Sequence, residues 1–219
     1  MPVGLKKFDM SGWHFLGYKM PLQFVFVRHG QAMHNKNFSE VGESAFTDPR
    51  NKDAELTELG HQQTLTTGTL LQSKIGSDVI GVWCSPLTRC IETMQNVIRP
   101  MIVKGDIHLH DSLIECLGGN HVCNDRQTHT VLSAKYPDYK MNTLPEYPPH
   151  WRSRENRQSM RQRMWMLTRL LLDIYYDSDE ESDGIVLIVS HHDAIEALTG
   201  KSLNNAEALI YSVSDLIEI

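Results

Sequence analysis

Two short apolar runs in this chain each end abruptly in a histidine, and this pattern limits the folds that the chain can adopt. Residues 24–27 are followed by Arg28-His29-Gly30, and residues 185–189 are followed by Ser190-His191. Short runs rich in β-branched and aromatic residues are typical of strands buried on both faces of a sheet. Open α/β sheets bind ligands at the carboxyl ends of their strands. The pattern therefore predicts two buried strands that bring histidines to a ligand site.

The sequence between these two runs predicts further helices and strands. Thr57 is a candidate N-cap for a helix over residues 58–74, which Gly76 would end. Residues 79–84 form another apolar run, and it passes into Ser85-Pro86, a pair typical of an N-cap and a first helical residue. We therefore expect a strand over 79–84 and a helix that begins directly after it.

This second helix is predicted to carry Arg89 one turn from its start and to end before Pro100. Residues 107–109 indicate a short strand beyond it. Leu113-Ile114 indicates the end of another strand, with Glu115 directly after it. Charged side chains are thus expected at several strand ends and helix starts.

The clearest helix is predicted over residues 155–176. Apolar residues recur there at three- and four-residue spacing, which gives one apolar face: Met160, Met164, Leu167, Leu171 and Ile174. After the second apolar run, residues 194–199 predict a shorter helix that Gly200 ends. Helices therefore flank the strands through most of the chain.

Three segments are predicted to be irregular because polar and turn-forming residues dominate them. Residues 34–53 would form a loop over the ligand edge of the sheet, where lids and specificity elements are common. Residues 116–149 would form an inserted segment on the substrate side. Residues 177–184 are acidic and are expected to be a solvated connection.

The alternation of strands and helices, without repeats or linkers, predicts an α/β fold. We expect a three-layer α/β/α sandwich with a mostly parallel central sheet. A length of 219 residues suits one such sheet. The predicted organisation is a single domain over 1–219, with the inserted substrate-side segment at about 116–150.

The charge balance restricts the partners of the chain. A formal net charge of -6 argues against broad binding of nucleic acid or anionic membrane, so an anionic substrate needs a local positive pocket. The four cysteines form no CxxC pair, which fits a reducing compartment. Charged residues interrupt the first twenty residues, unlike a secretory signal or a membrane span. We therefore expect a cytoplasmic protein.

The residues at the predicted strand ends suit phosphate chemistry. The guanidinium of Arg28 can hold two phosphate oxygens while the imidazole of His29 attacks phosphorus. Arg89 and His191 are expected to reach the same pocket, and the two arginines would keep His29 uncharged. Each residue alone has a more ordinary interpretation as an ion-pair partner or a strand-end histidine. The ordered set favours a phosphate site.

Two further residues can belong to this set, and each also has an ordinary structural interpretation. Asn35 can donate from its amide six positions after His29, although it also suits a turn. Glu115 can act as an acid or base, although a structural carboxylate is the alternative.

Four segments in order along the chain resemble motifs of the histidine phosphatase superfamily, which includes phosphoglycerate-mutase-like enzymes. They are residues 28–35, 56–62, 85–93 and 189–191. The resemblance extends from residue 24 to residue 200. It implies the phosphoglycerate-mutase-like form of the sandwich fold.

The resemblance also implies roles for individual residues. It places the phosphorylated nucleophile at His29, phosphate ligands at Arg28, Asn35 and Arg89, and the second pocket histidine at His191. Glu115 falls at the proton-donor position of branches that use a glutamate. Gln31 stands where the family often has glutamate. Arg126 ends the segment 123–126, which resembles a feature of plant and fungal phosphoglycerate-mutase-like proteins. We treat both of these as candidate substrate contacts.

A zinc site is the competing interpretation of the histidines and cysteines. The candidate ligands are His108, His110, Cys116, His121, Cys123, His129 and the run His191-His192-Asp193. Their spacings match no common zinc site. We therefore expect neither metal nor cofactor, and packing roles for the cysteines.

Three functions follow from these residues. We expect metal-independent hydrolysis of a phosphate monoester, either a small phosphorylated molecule or a phosphoprotein. A phosphoglycerate-mutase-type phosphotransferase is the first alternative. It is disfavoured because residues 46–55 lack the mutases' usual tryptophan-containing sequence, and Ile219 leaves little room for their C-terminal tail. A noncatalytic phospholigand-binding module is the second alternative.

Overall fold

The computed structural model describes residues 21–115, 121–148, 155–176 and 183–219. The strands are β1 (Gln23–Arg28), β2 (Asp78–Cys84), β3 (Ile102–Val103), β4 (Ile107–Leu109), β5 (Ile185–Ser190) and β6 (Ala208–Ser212). The helices are α1 (Met33–Val41), α2 (Ser44–Thr47), α3 (Glu58–Ile75), α4 (Thr88–Ile98), α5 (His129–Lys135), α6 (Arg157–Tyr175), α7 (His192–Thr199) and α8 (Val213–Ile217).

The strands form one sheet in the order β3-β2-β5-β1-β6, and β4 also pairs with β2. Every pairing is parallel except that of β1 with β6. The register of the two central strands aligns Arg28 with Ser190. His29 and His191 therefore leave neighbouring strands at the same level, which is the arrangement that the two apolar runs predicted.

Helices cover both faces of the sheet because side chains alternate between the faces along each strand. Phe24 and Phe26 belong to the core on the side of α6, α7 and α8. Val25 and Val27 belong to the core on the side of α3 and α4. This is the predicted three-layer α/β/α sandwich with a mostly parallel sheet, and the fold prediction is confirmed.

The two long helices lie close to their predicted positions. Thr57 caps α3, because its Oγ1 accepts a hydrogen bond from the Gly60 amide at 3.1 Å, and Gly76 ends the helix with a φ of 82°. On α6 the predicted apolar face is buried except for Ile174, which is 51% exposed. Tyr175 packs against the core instead, four residues after buried Leu171. The helix period carries the buried stripe past position 174.

The start of α4 was predicted wrongly. The helix begins at Thr88 rather than at Ser85-Pro86, so Arg89 is its second residue. The cap comes from Asp53, whose carboxylate accepts from the Thr88 amide at 2.8 Å and from the Thr88 Oγ1 at 2.9 Å. Asp53 adopts a left-handed φ of 45° to do so. No local pattern at Ser85-Pro86 could reveal a cap supplied from so far along the chain.

The segment predicted as a loop over residues 34–53 is mostly helical. It contains α1, α2 and a 3₁₀ turn at Pro49–Asn51. Buried Asn51 holds these pieces together: its amide donates to the Ala45 carbonyl at 2.7 Å, and its Oδ1 accepts from the Asn37 amide at 2.8 Å. Because tertiary hydrogen bonds stabilise these short helices, their polar sequence gave no periodic signal.

Leu113-Ile114 was also predicted wrongly, because Asp111–Leu113 is a 3₁₀ turn rather than a strand. Within the predicted insertion, the described residues hold a 3₁₀ turn at Val122–Asn124 and helix α5. Its residues 116–120, and most of the acidic stretch predicted over 177–184, lie outside the described residues. Across the described ranges, no helix combines the length and apolarity needed to cross a membrane.

Candidate active site

His29 lies directly after β1 and is 2% exposed. Its backbone amide donates to the Ser190 carbonyl at 3.0 Å, and its Nδ1 lies 2.7 Å from the Gly30 carbonyl oxygen. Because a carbonyl oxygen only accepts, Nδ1 carries the proton and Nε2 keeps its lone pair. Burial, followed by the charge of Arg89, lowers the pKa of His29 well below its usual value. The ring is therefore a neutral base with Nε2 available.

Arg89 is the largest fully buried side chain of the described residues. Its guanidinium donates to the Cys123 carbonyl at 2.7 Å and to the Asn124 Oδ1 at 2.8 Å. A third contact joins its Nη2 to the Nδ1 of His191 at 3.1 Å. The predicted insertion and the residue directly after β5 thus both hold the guanidinium of Arg89 in place.

His191 is fully buried, and its tautomer follows from its neighbours. An arginine only donates, so Nδ1 accepts from Arg89 and Nε2 carries the proton, which points to the Ser85 Oγ at 2.8 Å. Burial and Arg89 lower the pKa of His191 well below its usual value. The rings of His191 and His29 have centroids 5.1 Å apart. Ser85, which the sequence suggested as a helix cap, holds this histidine instead.

Arg28 completes the set of positive charges. Its Nη1 donates to the Leu203 carbonyl at 2.5 Å. Burial lowers the pKa of Arg28, while the carboxylates of Glu115 and Asp193 oppose that shift. Arg28 and Arg89 both act electrostatically on His29, so the structure brings the four strand-end and helix-start residues together.

Three buried donors around His29 lack a partner. Among the described residues, four buried side-chain polar atoms make no hydrogen bond, and three of them are Arg28 Nε, Arg89 Nε and His34 Nδ1. Each residue carries a charge or a ring that acts on His29. Buried donors are rarely left unpaired in a folded protein. An anion bound beside His29 would supply the partners that these donors lack.

His34 was missed as a site residue because its segment was predicted to be a loop. It is 5% exposed on α1, and its ring centroid lies 5.9 Å from that of His29. The Asn35 amide approaches His34 Nε2 at 3.1 Å, so Nε2 accepts and the unpartnered Nδ1 carries the proton. Burial lowers the pKa of His34 to about 2. Its place in the first signature, five residues after His29, was the available signal.

Asn35 contacts its neighbours rather than standing free in the pocket. Its Oδ1 accepts from the Ala32 amide at 3.0 Å, and its Nδ2 donates to His34. The observed role is to close the start of α1 and to orient His34. A phosphate contact by Asn35 stays a prediction.

Glu115 approaches the same edge of the sheet from the other side. Its Oε2 lies 3.5 Å from the Asp193 amide at the start of α7. Arg163 fixes the irregular segment that carries it, donating to the carbonyls of Ser112 at 2.6 Å and Ile114 at 2.7 Å. Glu155 in turn forms an ion pair with Arg163 at 2.6 Å. Arg163 was missed, although its position three residues after buried Met160 was a signal.

The two candidate substrate contacts, Gln31 and Arg126, are engaged elsewhere. Arg126 is 2% exposed and donates to both Asp111 carboxylate oxygens, at 2.8 and 3.0 Å, and to the carbonyls of Gln127 and Pro145, each at 2.8 Å. These contacts anchor the predicted insertion rather than a substrate, and the suggested contact by Arg126 finds no support in them.

The side chain of Gln31 accepts from the Thr57 Oγ1 at 2.8 Å. Gly60, at the start of α3, approaches so closely that a Cβ there would collide with the Gln31 carbonyl oxygen. Gln31 therefore joins the loop after His29 to α3. A substrate contact by Gln31 stays a prediction.

One trio of possible metal ligands lies close together among the described residues, but its atoms already have partners. His192, Asp193 and Glu196 bring one ligand atom each within 4.8 Å of the others. Both ring nitrogens of His192 have partners, Asp193 at 2.7 Å and Ser202 at 2.8 Å, and Glu196 pairs with Arg157 at 3.5 Å. The remaining zinc candidates form no such group within the described ranges, and Cys116 lies outside them.

Comparison with known proteins identifies the family. The family model described as "Histidine phosphatase superfamily (branch 1)" matches residues 24–213. The matched region includes all four motif segments, which confirms the resemblance stated from them. A search of curated protein sequences finds no match.

Several solved structures share the fold at low sequence identity. An ecdysone phosphate phosphatase from Bombix mori, in complex with tungstate, has a TM-score of 0.65 at 15% identity, covering 86% of this chain and 88% of that one. A mycobacterial glucosyl-3-phosphoglycerate phosphatase has a TM-score of 0.57 at 20% identity, covering 87% and 92%. A phosphoserine phosphatase variant from Entamoeba histolytica, in complex with phosphoserine, has a TM-score of 0.52 at 16% identity, covering 86% and 89%.

Proposed function

The chain belongs to the histidine phosphatase superfamily, and from this premise we propose that it hydrolyses phosphate monoesters through a phosphohistidine at Nε2 of His29. The observation that carries the proposal is the cluster of unpartnered donors on Arg28, Arg89 and His34 around a neutral histidine. A phosphoryl group supplies the oxygens that these donors need. The neutral imidazole supplies the electron pair.

The first step forms the N–P bond. The lone pair of His29 Nε2 attacks phosphorus, the P–O bond to the alcohol breaks, and Glu115 protonates the leaving oxygen. Arg28 and Arg89 stabilise the negative charge on the transferring oxygens, which is where preorganised donors have their largest effect. The hydrogen bond from Nδ1 to the Gly30 carbonyl holds the ring in the reactive tautomer.

The second step regenerates the enzyme. Glu115, now a carboxylate, takes a proton from water as the water oxygen attacks phosphorus. The N–P bond breaks, its electron pair returns to Nε2, and inorganic phosphate leaves. A positioned acid and base of this kind contributes about 10² to 10⁴ in rate.

Side chains of this protein supply the positive charge that a metal provides in other phosphatases. Two guanidinium groups lie within electrostatic range of His29, and each can hold phosphate oxygens through two N–H groups. We therefore propose a metal-independent reaction. The phosphatases that share the fold make hydrolysis, rather than transfer to a second substrate, the first candidate.

The test measures phosphate release from p-nitrophenyl phosphate in excess EDTA. We compare the wild type with His29→Ala and with a matched control, His129→Ala, whose ring contacts Ser133 on its own helix α5. Chelator-resistant activity that His29→Ala abolishes and His129→Ala retains is the expected result. Alkaline quenching of the wild type during turnover, which preserves an N–P bond, should trap phosphate on His29.

Other outcomes point to the two alternatives. A long-lived phosphoenzyme that passes its phosphoryl group to an acceptor alcohol faster than to water would indicate a mutase. Phosphate binding with neither turnover nor labelling would indicate a binding module, and either result contradicts the proposal.

A further inference from the structure

We propose that the site takes phosphate monoesters whose leaving group carries a planar aromatic ring, and that Phe46 stacks on this ring. The inference rests on the proposed function, because it assigns a leaving group to the phosphate site at His29. Its basis is a series of rings that begins beside the nucleophile and ends at the surface. We call this series the aromatic row: His34, Phe46, Phe38 and His121.

The rings of the row are in mutual contact. The centroid of His34 lies 5.9 Å from that of His29, and Phe46 follows 6.2 Å beyond His34. Phe46 then contacts His121 at 4.9 Å and Phe38 at 5.1 Å, the latter in a stacked arrangement with 21° between the planes. These separations match aromatic pairs in protein cores and binding sites. The row thus extends the catalytic pocket with aromatic surface.

Exposure rises along the row. His34 is 5% exposed, Phe46 is half-buried, and Phe38 is 44% exposed. Exposed aromatic surface that continues a buried polar site is typical of a ligand pocket. The outer rings of the row therefore keep part of their surface exposed to solvent.

The packing of the surrounding segment covers only part of these rings. Ala45 is buried, and Asn51 ties α1 and α2 together through its hydrogen bonds to Asn37 and to the Ala45 carbonyl. The stack of Phe38 on Phe46 adds to this link between α1 and α2, yet 44% of Phe38 stays exposed and Phe46 is only half-buried. This exposed part of the two rings is the surface that we assign to the ligand.

The chemistry of the row selects an uncharged ring. His34 is neutral at any working pH because its pKa is about 2, and it offers one donor, Nδ1–H, beside the nucleophile. A leaving group with its own carboxylate would lose hydration against neutral rings. An aromatic ring instead gains stacking, and the unpartnered donor can meet an oxygen of the phosphate ester.

The test uses two phosphonates that the enzyme cannot hydrolyse, 3-phenylpropylphosphonate and 3-cyclohexylpropylphosphonate. They match in size and charge and differ in the planarity of the ring. By titration calorimetry the wild type should bind the phenyl compound about 5-fold more tightly, the range of aromatic stacking. Phe46→Leu should lose this preference and Phe46→Tyr should keep it. The matched control is Trp165→Leu, which removes an exposed ring on α6 and should change nothing.

Equal affinities in the wild type, a preference that survives Phe46→Leu, or no binding of either compound would overturn the inference. Turnover of 2-phenylethyl phosphate by the same proteins separates this failure from that of the proposed function. Ring-selective binding without turnover would contradict the proposed hydrolysis and support the ring site. Turnover that depends on His29 but shows no preference for the planar ring would support the hydrolysis and contradict the ring site. Faster hydrolysis of a tyrosine phosphopeptide than of phenyl phosphate would assign the ring to a protein, and the opposite to a small molecule; both uphold the ring site.

Discussion

The proposed site has two sides that are built in different ways. We call the residues around His29 and His191 the phosphate side, and Glu115 with the segment that carries it the acid side. His29 and His191 sit at the ends of two adjacent parallel strands, and the backbone register sets their separation. Glu115 sits on an irregular segment whose carbonyls are held by one side chain, that of Arg163. Backbone register tolerates few alternatives, while a side-chain anchor can be removed by one substitution. The two sides should therefore respond differently to mutation.

The largest effect is expected on the phosphate side. Arg89→Lys keeps the charge but loses the fork of donors that reaches Cys123, Asn124 and His191 together. We expect kcat/KM to fall about 10³-fold, the upper range for losing a preorganised donor. Steady-state kinetics on p-nitrophenyl phosphate measure it.

Arg99→Lys, an exposed substitution just after the same helix, is the control. A fall of less than about 10-fold in Arg89→Lys would show that charge alone, rather than geometry, supports the reaction.

A smaller effect is expected from Glu115→Gln on the acid side. Without an acid the alcohol leaves unprotonated, so kcat for an alkyl phosphate should fall about 10²-fold. The first step with p-nitrophenyl phosphate should change far less, because nitrophenolate is a good leaving group. Single-turnover rates with both substrates test this. Equal losses on both would assign Glu115 a structural role.

The sequence predicted some features of these two sides and missed others. Strand ends at His29 and His191 were predictable because an apolar run and its break are local signals. The cap on α4 by Asp53 and the anchor on Glu115 by Arg163 are contacts between distant parts of the chain. Neither leaves a periodic trace, so the start of α4 and the irregular 111–115 segment were missed.

Arg163→Lys should have a still smaller effect, about 10-fold on kcat for an alkyl phosphate. Lysine cannot hold the Ser112 and Ile114 carbonyls while it pairs with Glu155, so Glu115 loses its position rather than its chemistry. Combining Arg163→Lys with Glu115→Gln tests this by a double-mutant cycle. The second substitution should add little to the first; fully additive losses would contradict a positioning role. Exposed Arg161→Lys is the control.

The smallest expected effect is the contribution of His34, on the phosphate side, to the pH dependence of the free energy of unfolding. The pKa of folded His34 is about 2, so between that value and the ordinary pKa of 6.5 the unfolded chain binds a proton that the folded chain does not. Stability must therefore fall as pH falls below about 6.5. This single residue accounts for roughly 1 kcal/mol between pH 6.5 and 5.5.

Urea unfolding of the wild type and of His34→Phe at these two pH values measures the contribution. The variant should lose about 1 kcal/mol less on acidification than the wild type. An identical pH dependence in both would mean that His34 is protonated in the folded protein.

The hydrogen bond from His29 to Ser190 joins residues near opposite ends of the described chain. During synthesis, β1 emerges early, yet its partner β5 emerges only after all of the intervening helices have been made. An incomplete chain therefore carries His29 without His191 and without strand β5 beside it. Such long-range pairing forms slowly. If the proposed reaction needs both histidines, we expect nascent and truncated chains to be inactive toward phosphate esters.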